Sequence, residues 1–153
     1  MNQNKVFLAF YKGKADNRLY HFYDTITRLF TRGLYSHCEI VISKQDDLYE
    51  CYSSSIRDGG VRVKTMKLDT NHWDLIPLNI TKEQVISFYE QTANRSYDLL
   101  GALGIVLGLR QHADKYFCSE WCYDAITYKQ DGWRFSPNDL YALFPLIQDK
   151  PKE

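Results

Sequence analysis

The apolar positions of this chain change period along its length, and the changes mark out its elements. Val6 to Tyr11 is a short, nearly continuous apolar run that predicts a buried strand, closed by Lys12-Gly13-Lys14. Between Leu19 and Thr31, residues Tyr20, Tyr23, Ile26, Thr27 and Phe30 recur at helical spacing, and Gly33 supplies a stop. Tyr35 to Ser43 is rich in branched apolar residues and predicts a second strand. Asp46-Asp47 makes a turn, and Leu48 to Ser53 returns as a third. Asp58-Gly59-Gly60 is a strong turn signal ahead of a strand at Val61–Lys64, and a further strand is expected from Trp73 to Leu78.

Beyond Leu78 the period becomes helical. Thr81-Lys82-Glu83-Gln84 has the form of a capping box, followed by Val85, Phe88 and Tyr89 on one face. A second helix is predicted from Asp98 through Leu107, and a third from Cys118 over Ser119 to Thr127. Ser136-Pro137-Asn138-Asp139 opens a short fourth one through Leu143, with serine as cap and proline at the first helical position. Strands grouped first and helices afterwards predict an α+β fold built on an antiparallel sheet.

Composition adds limits. The 153 residues, with 44% hydrophobic and 25% charged, suit one domain over 1–153, with no linker, repeat or low-complexity tract. Nineteen basic residues balance nineteen acidic ones, so no field attracts a polyanion and nucleic-acid binding is not expected. The apolar start is too short for a secretory signal, and the glycine-broken run Leu99–Leu109 is far below the roughly 20 residues of a membrane span. A cytoplasmic protein without stable membrane insertion is therefore expected. In that compartment Cys38, Cys51, Cys118 and Cys122 are expected as reduced thiols.

Two of the reactive side chains stand out by position. On a strand, His37, Glu39 and Val41 share one face while Cys38, Ile40 and Ile42 share the other, so His37 points away from the apolar face and lies beside a carboxylate. Cys118 follows apolar residues and opens a helical pattern. At a helix N-terminus, unpaired N–H groups and the macrodipole favour the thiolate. A catalytic imidazole also needs a third group to orient it. Glu39, on the His37 face, and Glu50, on the neighbouring strand, both qualify, and periodicity does not choose between them.

These residues carry a resemblance. Leu29 to Ile42, through Tyr35-Ser36-His37-Cys38-Glu39, resembles the histidine segment of permuted papain-like cysteine hydrolases of the NlpC superfamily, in the YiiX/YaeF-like amidase branch; lecithin:retinol acyltransferase is a distant relative of that branch. Ser96 to Gly101 followed by Tyr116-Phe117-Cys118-Ser119-Glu120 is similar to the branch's second block, and Phe135 to Leu140 to its closing helix start. The likeness spans roughly residues 5 to 145, as three motifs in order. It implies a small antiparallel, barrel-like sheet packed against the helix that presents the cysteine. It also implies Cys118 as nucleophile, His37 as general base and Glu50 as the third member, with no cofactor and no metal. The Cys118 N–H would serve the oxyanion, with the Tyr35 hydroxyl as a second donor. Glu39 departs from the pattern, standing where a small residue is usual, and would compete with Glu50 for the ring or narrow the substrate cleft. Cys122, one helical turn past Cys118, is a second departure.

The activity so implied is hydrolysis of an amide through a Cys118 thioester, with a peptide or a peptidoglycan fragment as substrate. Reaching a cell wall would require delivery by lysis or a phage particle. The same triad would also serve a lipid amide or ester hydrolase or an acyltransferase. Two further readings compete: a zinc site drawn from His37 and the four cysteines, which lack a C-x-x-C pair, and a binding module exploiting twelve tyrosines and three tryptophans. Oligomeric state is not legible.

Overall fold

A computed structural model describes residues 4–13, 28, 33–98 and 116–148. The predicted helices over 19–31 and 98–107 lie outside the described residues, apart from Arg28 and Asp98. What is described is α+β. Five antiparallel strands, β1 (Val6–Tyr11), β2 (His37–Ser43), β3 (Leu48–Ser55), β4 (Gly60–Lys67) and β5 (Trp73–Pro77), form one open sheet in the order β4-β3-β2-β1-β5. Three helices follow: α1 (Lys82–Thr92), α2 (Cys118–Thr127) and α3 (Pro137–Gln148). Among the described residues β4 and β5 are the sheet's edges, so the sheet is open where a barrel-like closure was expected.

Strand alternation sorts the sheet into two faces. Val6, Leu8 and Phe10 of β1, Cys38, Ile40 and Ile42 of β2, and Tyr52 of β3 pack with Val85, Trp121, Ala125, Leu140 and Phe144 of the helices into the main core. The opposite face carries a smaller cluster of Ala9, Val41 and Cys51, bordered by Phe7, Tyr49, Met66 and Leu75. In register, Ala9 faces Glu39 and Tyr11 faces His37, so the polar pair of β2 lies on this second face.

The helices start where their sequences say. Thr81 Oγ1 accepts the Gln84 N–H at 3.2 Å, and Ser136 and Asp139 cap reciprocally, with Ser136 N–H donating to Asp139 Oδ2 at 2.9 Å and Asp139 N–H to Ser136 Oγ at 3.2 Å. The α3 helix runs on to Gln148, past the expected end at Leu143, because Phe144 still packs into the core. The α1 and α2 helices are cross-braced: Gln84 Nε2 donates to the carbonyls of Ala125 and Ile126 at the end of α2, and Trp121 Nε1 donates to Thr92 Oγ1 at 2.9 Å.

A backbone ladder fixes the start of α2 against the sheet. Val61 N–H donates to Arg95 O at 2.9 Å and Tyr97 N–H to Gly59 O at 3.0 Å, while Tyr116 N–H donates to Ser96 O at 3.1 Å and Asp98 N–H to Tyr116 O at 3.0 Å. Ser54 Oγ adds a bond to Tyr116 O at 2.6 Å. Gly60 makes the close approach possible, since a Cβ there would lie 2.1 Å from the Arg95 carbonyl oxygen. Among the described residues no helix is long and apolar enough to cross a membrane.

Candidate active site

His37 is the first residue of β2 and Cys118 the first residue of α2, and the two side chains meet in a hydrogen bond. Cys118 is 5% exposed, and the His37 side chain keeps 21% of its surface open. His37 Nε2 lies 3.0 Å from Glu39 Oε1, which leaves Nδ1 as the ring nitrogen for the thiol. The helix start places Cys118 where backbone N–H groups lack intrahelical acceptors and the macrodipole favours an anion.

The electrostatics favour a thiolate–imidazolium pair. A hydrogen bond from the Cys38 thiol is the largest influence on Cys118. Burial opposes it, and the charge and hydrogen bond of His37 and the Cys38 backbone then carry the Cys118 thiol well below its ordinary value. Burial by itself would lower the His37 pKa, but the Cys118 thiolate and the Glu39 carboxylate more than offset it and raise the ring to about 10. Cys38 moves the other way: burial, followed by its bonds to Cys118 and Cys122, pushes its thiol up and keeps it protonated as a donor.

Glu39 is 1% exposed and still ionised. Burial would raise its pKa, but Arg62, and after it His37, hold the carboxyl down at about 2. Arg62 grips it as a fork, with Nη1 to Oε2 at 2.8 Å and Nη2 to Oε1 at 2.7 Å. This arginine comes from β4, two strands from β2, and sequence reasoning missed it. Its signal was present in the alternation Val61-Arg62-Val63-Lys64, which puts Arg62 off the main-core face, but matching it to Glu39 needs the register of two successive hairpins.

Glu50, expected as the third member, is placed elsewhere. It pairs with Ile42 and therefore stands on the helix side of the sheet, opposite His37 and Glu39. Its carboxylate is bonded to Lys44, and this bond, ahead of a smaller one from Tyr52, lowers its pKa. The reason is the β2–β3 register. Gln45, Asp46 and Asp47 form a three-residue connection in which both aspartates adopt left-handed φ, near 57° and 56°. Glu50 also lies opposite Ile42, five positions along β2 from His37, which at about 3.3 Å per residue is about 17 Å; a turn one residue shorter would turn its side chain to the His37 face but leave it as far from the ring.

Tyr35 also departs from expectation. Its hydroxyl donates to Asp74 Oδ2 at 2.7 Å, and Asp74 is in turn bound to Lys12 at 2.6 Å, so the proton proposed for an oxyanion is already committed. Burial, with Asp74 and Tyr141 adding to it, drives the phenol pKa up. Tyr35 instead anchors the entry to β2: Asn138 of α3 accepts its backbone N–H at 2.9 Å and donates to its carbonyl at 2.8 Å. Glu39, the other residue considered for substrate contact, is buried against His37 and Arg62 rather than open to a cleft.

All four cysteines are free and buried. Cys122 lies one helical turn after Cys118 and joins it and Cys38 in the core. Among the described residues, no group of three or more His, Cys, Asp or Glu side chains is arranged to hold a metal ion. Comparison with known proteins finds no family model and no curated protein that matches the chain.

Proposed function

We propose that this protein is a cysteine hydrolase that cleaves amide bonds, on a permuted papain-like fold, with Cys118, His37 and Glu39 as its triad. One observation carries the reading: a thiol at a helix start is hydrogen-bonded to an imidazole whose far nitrogen rests on a buried, ionised carboxylate. That is the arrangement nucleophilic acyl transfer requires, in the order histidine before cysteine that the resemblance implies. Glu39 takes the part the resemblance gave to Glu50.

The chemistry follows from the groups present. The Cys118 thiolate attacks the carbonyl carbon, and the tetrahedral oxyanion accepts the Cys118 backbone N–H at the head of α2. The imidazolium of His37 passes its proton to the departing amine as the C–N bond breaks, leaving a thioester. Water then attacks the thioester with His37 as base. The carboxylic acid leaves and the Cys118–His37 pair is restored. Peptide amides and peptidoglycan fragments are the first substrates to screen.

The test is the rate of iodoacetamide labelling against pH, mapped to each cysteine, in the wild type and in His37→Ala. A thiolate at Cys118 should label on the order of 100-fold faster than an ordinary thiol near pH 6, and His37→Ala should remove a large part of the advantage, leaving what Cys38 and the helix start supply. Equal labelling of the four cysteines, or indifference of Cys118 to His37, refutes the reading.

A further inference from the structure

We infer that Arg62 is a positioning residue of this site: its guanidinium fixes Glu39 in place as an anion, so that the carboxylate orients His37 without accepting its proton. The inference rests on the proposed cysteine chemistry and adds a residue to it from β4, two strands away from the strand that carries His37.

An isolated carboxylate as deeply buried as Glu39 would take up a proton rather than remain charged. The two parallel bonds from Arg62 meet both of its oxygens. One of those oxygens, Oε1, is the atom that faces His37 Nε2. Its electron density is therefore shared between a guanidinium, which does not give up its proton, and an imidazole, which does. That sharing makes Oε1 a weaker proton acceptor than a lone carboxylate while leaving its charge to stabilise the imidazolium.

Arg62 is itself held. Its Nε donates to Asp58 Oδ2 at 3.0 Å, its Nη1 also reaches the Cys51 carbonyl at 3.2 Å, and only 14% of its side chain is exposed. Asp58 follows β3 in a short 3₁₀ turn closed by Gly59 in the left-handed conformation, and Lys64 of β4 completes the set by pairing with Asp58. The charges thus alternate along one row: His37, Glu39, Arg62, Asp58, Lys64. The other titratable groups around it do not disturb that order. Burial, followed by the Glu39 charge, pushes the Cys51 thiol up, so it stays neutral. The rings of Tyr11 and Trp73 stand against one another at 5.0 Å, with Trp73 also beside His37. Lys12 and Asp74 neutralise each other further along β1 and β5.

The experiment compares the pH profile of Cys118 alkylation in the full-length wild type, Arg62→Met, Arg62→Lys, Glu39→Gln and the double variant Glu39→Gln/Arg62→Met. Arg62→Met should move the acid limb upward by about one pH unit or more and slow labelling near pH 6 by about tenfold, because Glu39 then protonates within the working range. Arg62→Lys, which keeps the charge but loses the fork, should recover only part of that loss. The double variant should label at the rate of Glu39→Gln alone, since Arg62 acts only through Glu39. If Arg62→Met does not fold, Arg62→Lys decides: it keeps a cation beside Glu39 without the fork, and an acid limb unchanged from wild type overturns the inference. A wild-type acid limb in folded Arg62→Met, or a double variant at least tenfold slower than Glu39→Gln, overturns the inference. A wild type in which Cys118 has no enhanced reactivity overturns the hydrolase reading itself, a separate outcome.

Discussion

Replacing Glu39 by glutamine removes one charge while keeping the shape of the side chain, and the structure fixes both the size and the pH dependence of the effect. The Glu39 carboxyl sits at about 2 in the folded protein against an ordinary 4.5. At about 1.4 kcal/mol per pH unit, that gap contributes about 3 kcal/mol of stability. A depressed carboxyl pKa gives stability that is complete above about 4.5 and is lost as pH falls through about 2. The difference in unfolding free energy between wild type and Glu39→Gln should therefore be about 3 kcal/mol at pH 6 to 7, shrink below pH 4.5 and approach zero near pH 2. Urea unfolding followed by tryptophan fluorescence at several pH values measures it, since Trp121 is fully buried. Glu50→Gln is the control. Its partly exposed pair with Lys44 should be worth only about 0–1 kcal/mol, and its loss should leave Cys118 labelling unchanged. A Glu39→Gln deficit that is constant from pH 3 to 7 would mean the side chain matters through packing, and the charge argument would fail.

Two further outcomes concern the scaffold around the site. Tyr35→Phe deletes the bond to Asp74, and should cost about 1 kcal/mol in urea titration while leaving the alkylation rate of Cys118 untouched; a slower rate would return the phenol to the reaction. Asn138→Ala strips both backbone partners from Tyr35, and should cost about 2–4 kcal/mol by the same titration.

Much of this arrangement was legible in the residues. The strand of His37 and the alternation that separates it from Cys38 follow from period two, and the caps at Thr81 and Ser136 follow from hydroxyl chemistry at helix starts. The placement of Cys118 at the head of a helix rested on the same kind of local reading. What was not legible is what depends on register. Glu39 meets His37 because the two are neighbours on one face of β2, whereas Glu50 faces Ile42, and that pairing, set by the three-residue turn at Gln45–Asp47, cannot be read from two adjacent aspartates. Arg62 needed that register and the next one. The partner of Tyr35 was not legible either, because a hydroxyl near a histidine in sequence says nothing about Asp74, which arrives from the far edge strand β5.

The ladder that suspends the start of α2 from the sheet has a consequence for how this sequence can drift. Most of its rungs are main-chain bonds, through Arg95, Ser96, Tyr97 and Tyr116, which any non-proline residue can supply. At its less buried positions, Arg95 and Ser96 among them, substitutions can change the side chain without removing a main-chain rung, whereas Tyr116 is also packed in the main core. Two positions are exceptions: Ser54, whose hydroxyl supplies a rung of its own, and Gly60, where any side chain would run into the Arg95 carbonyl. The nucleophile's position is thus insulated from many point changes in its own support and exposed to those at Ser54 and Gly60, both far from it in the chain.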